Sequence, residues 1–533
     1  MKNTIIAFCL FSCTKLLGQE SALLDINDVS AGIQSDGSLF NFNKFEVPKG
    51  SKKSSIFSGG IWIGGYDSDN NLHLAAQQYP NSTLVDIYYG PIAFDYGDSS
   101  YILRYNNVWK INKSTILDHV ANYKMTGYKV PASIHNWPGN GNVSNGEAVD
   151  LAPYVDVNSN TIYDPANGDY PDIRGDQAIF FITNDAKQLH TNSHAEIMGI
   201  EIHGMAYSFA SIADSALNQT VFVNFQIINR RAIDYFNVYV GIFLDMEIGE
   251  YFNDFVGSDS LLNMSYGYNG TTNDRIYGNN SPAQGCVILN HPLSTFMYYA
   301  NVLGNPPPAT TDPGTAIEYY NYLQGVWRNG TPLTRGGTGY NPGSIDTSSF
   351  AFGGDPLGTG WTEFELGNIA RDRRGITTVG PVNLNSGASI CLDVAFPYAR
   401  DYVGNNLTSI KVLKDRVRSI HSFYQGQNYN CPLLSTKVNQ SNQHDNLISI
   451  YPNPNNGIFQ IDLNQIIHNN NYKVEIFNAI GTSIKYSNPN STVGTAIKQF
   501  NNFDIDISSQ PAGIYFVRIS DGKKLYSAKI VIQ

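Results

Sequence analysis

The stretches Val221-Phe-Val-Asn-Phe-Gln-Ile-Ile228 and Phe236-Asn-Val-Tyr-Val-Gly-Ile-Phe-Leu244, separated by Asn229 to Tyr235, decide the fold. Both are dense in β-branched and aromatic residues, which pack well on a pleated surface, and both are too short for buried helices. They read as two neighbouring strands of a sandwich. Ser55-Ile-Phe-Ser-Gly-Gly-Ile-Trp-Ile-Gly64 repeats the pattern upstream. Helical periodicity is confined to Lys113–Tyr123 and to about Leu407–Tyr424, where Ile410, Leu413, Val417 and Ile420 step by three and four. The predicted fold class is therefore all-β, mainly an antiparallel β-sandwich with one or two helices in the body. No period of 20–50 residues repeats, which argues against solenoids and propellers.

Composition agrees. The 533 residues are only 15% charged and 12% aromatic, with Tyr 34 and Phe 27 far ahead of Trp 5. Asn makes up roughly a tenth of the chain, well above ordinary usage. A mean hydropathy of -0.24 and 42% hydrophobic content exclude a disordered chain or a coiled coil. The net charge is -11 and no basic run occurs, so no nucleic-acid partner is expected. No transmembrane segment is expected either, since no apolar stretch approaches the ~20 residues a span needs.

Residues 1–18 read as a signal peptide: Lys2, the apolar run Ile5–Phe11, then Leu16-Leu17-Gly18 before Gln19. A rival reading makes Leu10-Phe11-Ser12-Cys13 a lipoprotein box. Beyond that segment lie Cys286, Cys391 and Cys431, too few and too widely spaced for a disulfide framework or a metal cluster. The predicted organisation is a β-rich body over 19–431, possibly in two subdomains, a polar linker over 432–446, and a C-terminal unit over 447–533.

In that last unit the pattern sharpens. Phe459, Ile461 and Leu463 alternate with polar residues, as do Val474 and Ile476, Phe503, Ile505 and Ile507, and Tyr515, Val517 and Ile519. About seven short strands in this length imply a small Ig-like β-sandwich. Tyr451-Pro-Asn-Pro-Asn-Asn-Gly-Ile-Phe459, Val474-Glu-Ile-Phe-Asn-Ala-Ile-Gly481, Pro511-Ala-Gly-Ile-Tyr-Phe-Val-Arg518 and Lys529-Ile-Val-Ile-Gln533 resemble, in order, the motifs of the type A C-terminal sorting domain of the type IX (Por) secretion system of Bacteroidetes. The resemblance implies export, recognition by the type IX machinery, and a secreted or surface-attached product. The body resembles secreted Bacteroidetes proteins that carry the same domain, through Phe57–Gly65, Val155–Pro165 with Gly168–Pro171, and Asp254–Asp259 leading to Tyr268-Asn-Gly270. That resemblance names no reaction.

Two acidic stretches carry the candidate chemistry. In Asp156-Val-Asn158-Ser-Asn160-Thr-Ile162-Tyr-Asp164-Pro-Ala-Asn167-Gly-Asp169, oxygen side chains recur at the spacing by which a tight loop wraps hard Ca2+ at 2.3–2.6 Å. The first candidate site comprises Asp156, Asn158, Asn160, Ile162, Asp164 and Asp169. Thr161 stands where such loops want glycine, and Asn167 where a bidentate Glu would sit. An Asx-turn-rich surface loop without metal accounts for the same residues. The second candidate set is Asp245, Glu247, Asp254 and Asp259, with Glu250 between them. It suits a calcium site, a carbohydrate-binding loop, a glycosidase carboxylate pair or a solvated strand end. Two carboxyl groups facing each other across a cleft at ~5–10 Å would favour hydrolysis. Convergence of several oxygens on one point would favour an ion.

His190 and His194 would share a zinc ion only if helical, and Glu201 with His203 are expected on one outward strand face. No GxSxG, dinucleotide or P-loop pattern is present. The sequence thus predicts an exported, calcium-stabilised body of binding or structural type. Its candidate partner is an extracellular glycan or surface polysaccharide, with Trp62, Trp109, Trp137, Trp327 and Trp361 as candidate contacts. A polysaccharide hydrolase using paired carboxylates is the alternative.

Overall fold

A computed structural model describes residues 20–79, 83–301, 305–427, 429, 449–462, 473–478, 483–486, 502–520 and 525–533. Residues 1–18, expected to be a signal peptide, and Cys431, the expected linker and Leu463 lie outside them. The chain divides into two compact units, Met1–Val438 and Asn439–Gln533. Strands in antiparallel sheets dominate, with six α-helices among the described residues.

The first unit is built on two sheets. One has nine strands. From its free edge run Asp254–Asp259, Met264–Asn269, Ala283–Ile288, Ser389–Ala399, Thr220–Asn229, Ile200–Ser208 and Gln177–Asn184, the last also pairing with Tyr88–Tyr89 and Trp109–Asn112. The other has five: Thr295–Ala300, Arg373–Leu384, Tyr235–Asp245, Ser58–Tyr66 and Leu72–Ala76. The stretches Val221–Ile228 and Phe236–Leu244 are strands, but they do not pair with each other. The chain crosses between sheets at 230–234, so the first lies between Ile200–Ser208 and Ser389–Ala399, and the second between Arg373–Leu384 and Ser58–Tyr66.

Strand alternation then sorts the side chains. Ile61, Ile63, Val240, Ile242 and Leu244 meet Ile179, Ile202, Val223, Phe225 and Val394 between the sheets. The opposite faces are also covered. Trp62, Phe243 and Tyr299 sit beneath helix Ala316–Leu323 and the loops that follow it. On the far side, Phe180, Phe222 and Ala395 pack in the layer that contains Ile410, Leu413, Val417 and Ile420 of helix Asn406–Gln425. That helix starts at a capping box, with Asn405 accepting from the Leu407 and Thr408 backbones. Burying each aliphatic side chain along its inner stripe contributes ~1.5–3 kcal/mol. Two sheets buried on both faces explain why the central strands read as continuous apolar runs.

The remaining candidate side chains take the following places. Glu201 and His203 do share the outward face of the nine-stranded sheet, where Glu201 is buried and His203 half-buried. His190 and His194 are not in a helix; both His190 ring nitrogens face carbonyls, of Leu74 at 2.8 Å and Asp185 at 2.9 Å. Trp62, Trp109, Trp137 and Trp327 are buried core residues and Trp361 is half-buried, so no exposed tryptophan platform forms. Cys286 is a free, buried thiol and Cys391 is disulfide-bonded.

In the second unit, Ser449–Tyr451, Ile458–Asp462 and Asn502–Asp506 form one sheet. Ser483–Ile484, Lys473–Asn478, Gly513–Ser520 and Leu525–Ile532 form the other. Phe459, Ile461, Val474, Ile476, Ile505, Ile507, Tyr515, Val517 and Ile519 are its core.

Candidate functional site

The first acidic stretch is an exposed loop with one buried anchor. Asp169 is fully buried; its Oδ1 accepts from the Val157 N–H at 2.8 Å and its Oδ2 from the Asp164 N–H at 2.9 Å. Asp169, not Asn167, thus closes the loop. Asp156 accepts from the backbones of Asn160 at 3.2 Å and Thr161 at 2.7 Å. The amide groups of Asn158, Asn160 and Asn167 all donate to Asp164, at 2.8–3.3 Å. These bonds, the Asn167 bond foremost, hold the Asp164 carboxyl below its usual range, while burial raises that of Asp169. Thr161 adopts φ 66°, the left-handed turn that glycine favours. Ile162 follows, with its N–H on Asn160 Oδ1 at 2.8 Å.

Asp156 and Thr161 also line a cleft of about 790 Å³. Its floor is the outer face of the nine-stranded sheet, with Phe180, His203, Met205, Asn224 and Gln226. His203 is held by Glu201 at 2.8 Å, and Arg230 reaches the same carboxylate oxygen at 2.6 Å. Burial alone would raise Glu201, but these two partners bring it down to about 2. Arg174, another lining residue, bonds Asp393 at 2.6 Å and lies 4.2 Å from the centre of the Tyr429 ring.

The second acidic stretch is divided by the fold. Asp245 ends its strand opposite Arg374. Extending that register by two residues sets Glu247 opposite Asp372, and one oxygen from each of Asp245, Glu247 and Asp372 lies within 4.8 Å of the others. Asp372 is the member the sequence reading missed. Asp254 joins the periphery, its Oδ2 accepting from the Ile248 N–H at 3.3 Å. Asp259 does not join: it sits at the far end of the Asp254 strand, ~16 Å away at 3.3 Å per residue, and pairs with Lys414 at 3.1 Å. Glu250 turns away to Arg275 at 3.6 Å.

Electrostatics in this knot are severe. Tyr79 O–H donates to Asp245 Oδ2 at 2.7 Å and accepts from Arg374 Nε at 2.9 Å. Arg374 Nη1 lies 3.1 Å from Asp372 Oδ1, yet the two are not aligned as a hydrogen bond. Burial lifts Asp245 to about 6 against the pull of Arg374. Burial, then Asp245 and Asp372, push Glu247 to about 8, and burial raises Asp254 strongly.

In the C-terminal unit the Pro452–Gly457 segment has a defined task. Asn453 accepts from Val531 N–H at 2.9 Å and donates to the Lys529 carbonyl at 2.8 Å, tying the first turn to the last strand. Gly457, at φ 93°, leaves a Cβ only 2.4 Å from Ser508 Cα. Tyr515 O–H reaches the Pro511 carbonyl at 2.8 Å, and Arg518 pairs with Glu475 at 2.6 Å.

No curated protein matches the chain. No helix among the described residues is long and apolar enough to cross a membrane. Residues 449–533 match the family model described as a secretion system C-terminal sorting domain. Residues 449–533 are therefore a type IX sorting domain, which indicates export of the chain to a secreted or surface location.

Proposed function

We propose that the body exported by this sorting domain is a calcium-stabilised binding module, and that the cleft beside the 156–169 loop is its ligand site. The observation that carries the reading is the position of Asp156 and Thr161, which belong both to the loop and to the cleft wall. An ion in the loop would fix that wall. Asp156, Asn158, Asn160, the Ile162 carbonyl, Asp164 and Asp169 supply only oxygen donors, the set a hard cation selects. An ion would replace the amide groups of Asn158 and Asn160 as the partner of Asp164, while their Oδ1 atoms stay on the N–H groups of Asn160 at 3.1 Å and Ile162 at 2.8 Å.

The cleft combines Tyr154, Phe180 and Tyr429 with Asp150, Asp172, Arg174, His203, Asn224 and Gln226. Flat apolar faces interleaved with fixed polar groups suit a polyhydroxylated ligand, an extracellular glycan or surface polysaccharide. The hydrolase alternative receives less support: the carboxylates that do converge, Asp245 and Asp372, are 1% and 5% exposed and meet around one point. The test is a polysaccharide binding panel on the full chain, with calcium and after chelation, alongside Asp156→Ala. Calcium-dependent retention of a glycan, lost in the variant, is expected. Equal binding with and without calcium, or no glycan bound at all, refutes the reading. Release of reducing ends from a bound polysaccharide would instead establish the hydrolase.

A further inference from the structure

We infer that Asp245, Glu247 and Asp372 form a second calcium site, separate from the exposed loop, which clamps the outer loop layer onto the five-stranded sheet. It deepens the calcium-stabilised reading while resting on different residues.

Three observations carry it. The first is the convergence itself: three carboxylate oxygens within 4.8 Å of one another. Three oxygens that share a calcium ion at 2.3–2.6 Å stand up to roughly 4.5 Å from one another, so at most a small rotation of the carboxylates brings the set round a single ion. The second is unspent hydrogen-bonding capacity. Asp245 Oδ1 and Asp372 Oδ1 are buried and have no hydrogen-bond partner, and Asp254 Oδ1 beside them is in the same condition. A buried acceptor left without a partner costs ~1–3 kcal/mol, more when charged, and native structures seldom keep several in one place. The third is charge. Asp245, Glu247 and Asp372, with Asp254 beside them, stand against the single guanidinium of Arg374, an excess of buried negative charge that a divalent cation would offset.

The placement gives the ion its role. Asp245 and Glu247 lie at the end of one central strand. Asp372 is where the chain re-enters the sheet after the long excursion that carries helix Ala316–Leu323 and the loops over Trp62 and Phe243. Asn301, at the start of that excursion, donates to Asp372 Oδ2 at 3.0 Å. An ion held there joins both ends of the outer layer to the sheet.

The experiment titrates calcium into metal-stripped full chain by calorimetry, using wild type, the loop variant Asp156→Ala/Asp164→Ala and the knot variant Glu247→Gln/Asp372→Asn. The loop variant should keep one binding event and the knot variant should lose it. Terbium luminescence lifetimes in water and deuterium oxide provide the second readout. The ion retained by the loop variant should carry few or no waters, as a buried site requires. If the double knot variant fails to fold, Asp372→Asn alone replaces it. A knot variant that binds as many ions as wild type overturns the inference. So does a loop variant that binds none, which would leave the knot filled by water and protons only. Loss of an event in the loop variant reports on the exposed loop alone, so the two sites stand or fall separately.

Discussion

Glu247→Gln should abolish most of a pH-dependent loss of stability in the metal-free body. In the folded chain, burial beside Asp245 and Asp372 raises the Glu247 carboxyl from 4.5 to about 8. An acid with a raised folded pKa keeps its full stability below the unfolded value and loses it as pH climbs towards the folded one. Over roughly 3.5 pH units at ~1.4 kcal/mol each, the ceiling is ~5 kcal/mol. Glu247 is only half-buried, so solvent screening reduces this to ~2–3 kcal/mol. The assay is urea unfolding of chelator-treated and dialysed protein at pH 5 and pH 8.5, followed by tryptophan fluorescence. All five tryptophans lie in the body, so the C-terminal unit is silent in this signal. At pH 5 wild type and variant should match. At pH 8.5 the variant should be more stable by ~2–3 kcal/mol. Asp245 and Asp254 also titrate in both proteins, and the difference between the two profiles reports Glu247 together with its push on Asp254. Parallel profiles that differ by less than ~0.5 kcal/mol would refute the reasoning.

Other outcomes follow from single contacts. Thr161→Gly relieves a left-handed threonine and should stabilise the loop by ~0.5–1 kcal/mol, with tighter calcium binding by calorimetry; a destabilised variant would mean that the turn is not strained. Arg373 and Glu363 are paired at 2.8 Å and nearly excluded from solvent, so Arg373→Met should cost ~3–5 kcal/mol in urea unfolding by stranding the carboxylate; a loss under ~1 kcal/mol would contradict the pairing. Gly457→Ala drives a methyl group into the Ser508 backbone and should lower the melting of the 439–533 unit within the full chain by calorimetry while the body's tryptophan transition stays in place; an unchanged melt would contradict the close approach.

What could be read from the residues alone depended on the range of the interaction. Helix Asn406–Gln425 is legible because its apolar stripe is local and steps by three and four. The C-terminal strands are legible because one face is wet and period two survives. The central strands are legible as strands, but with both faces covered their partners leave no mark in the pattern. That is why Val221–Ile228 and Phe236–Leu244 read as neighbours although they lie in facing sheets. The acidic knot shows the same limit. Asp245, Glu247, Asp254 and Asp259 are close in sequence, so they read as one group. A strand then carries Asp259 away, while the ladder from Asp245 to Arg374 brings in Asp372 from more than a hundred residues downstream. The 156–169 loop was legible throughout because all its groups lie within one turn-rich segment, Asp169 included.

The metal content of the protein collected from culture medium without chelator tests the calcium-stabilised body most directly. About two calcium ions per chain are expected, one for each oxygen-only donor set. A folded chain that carries none, and whose melting does not move when calcium is added, would contradict it.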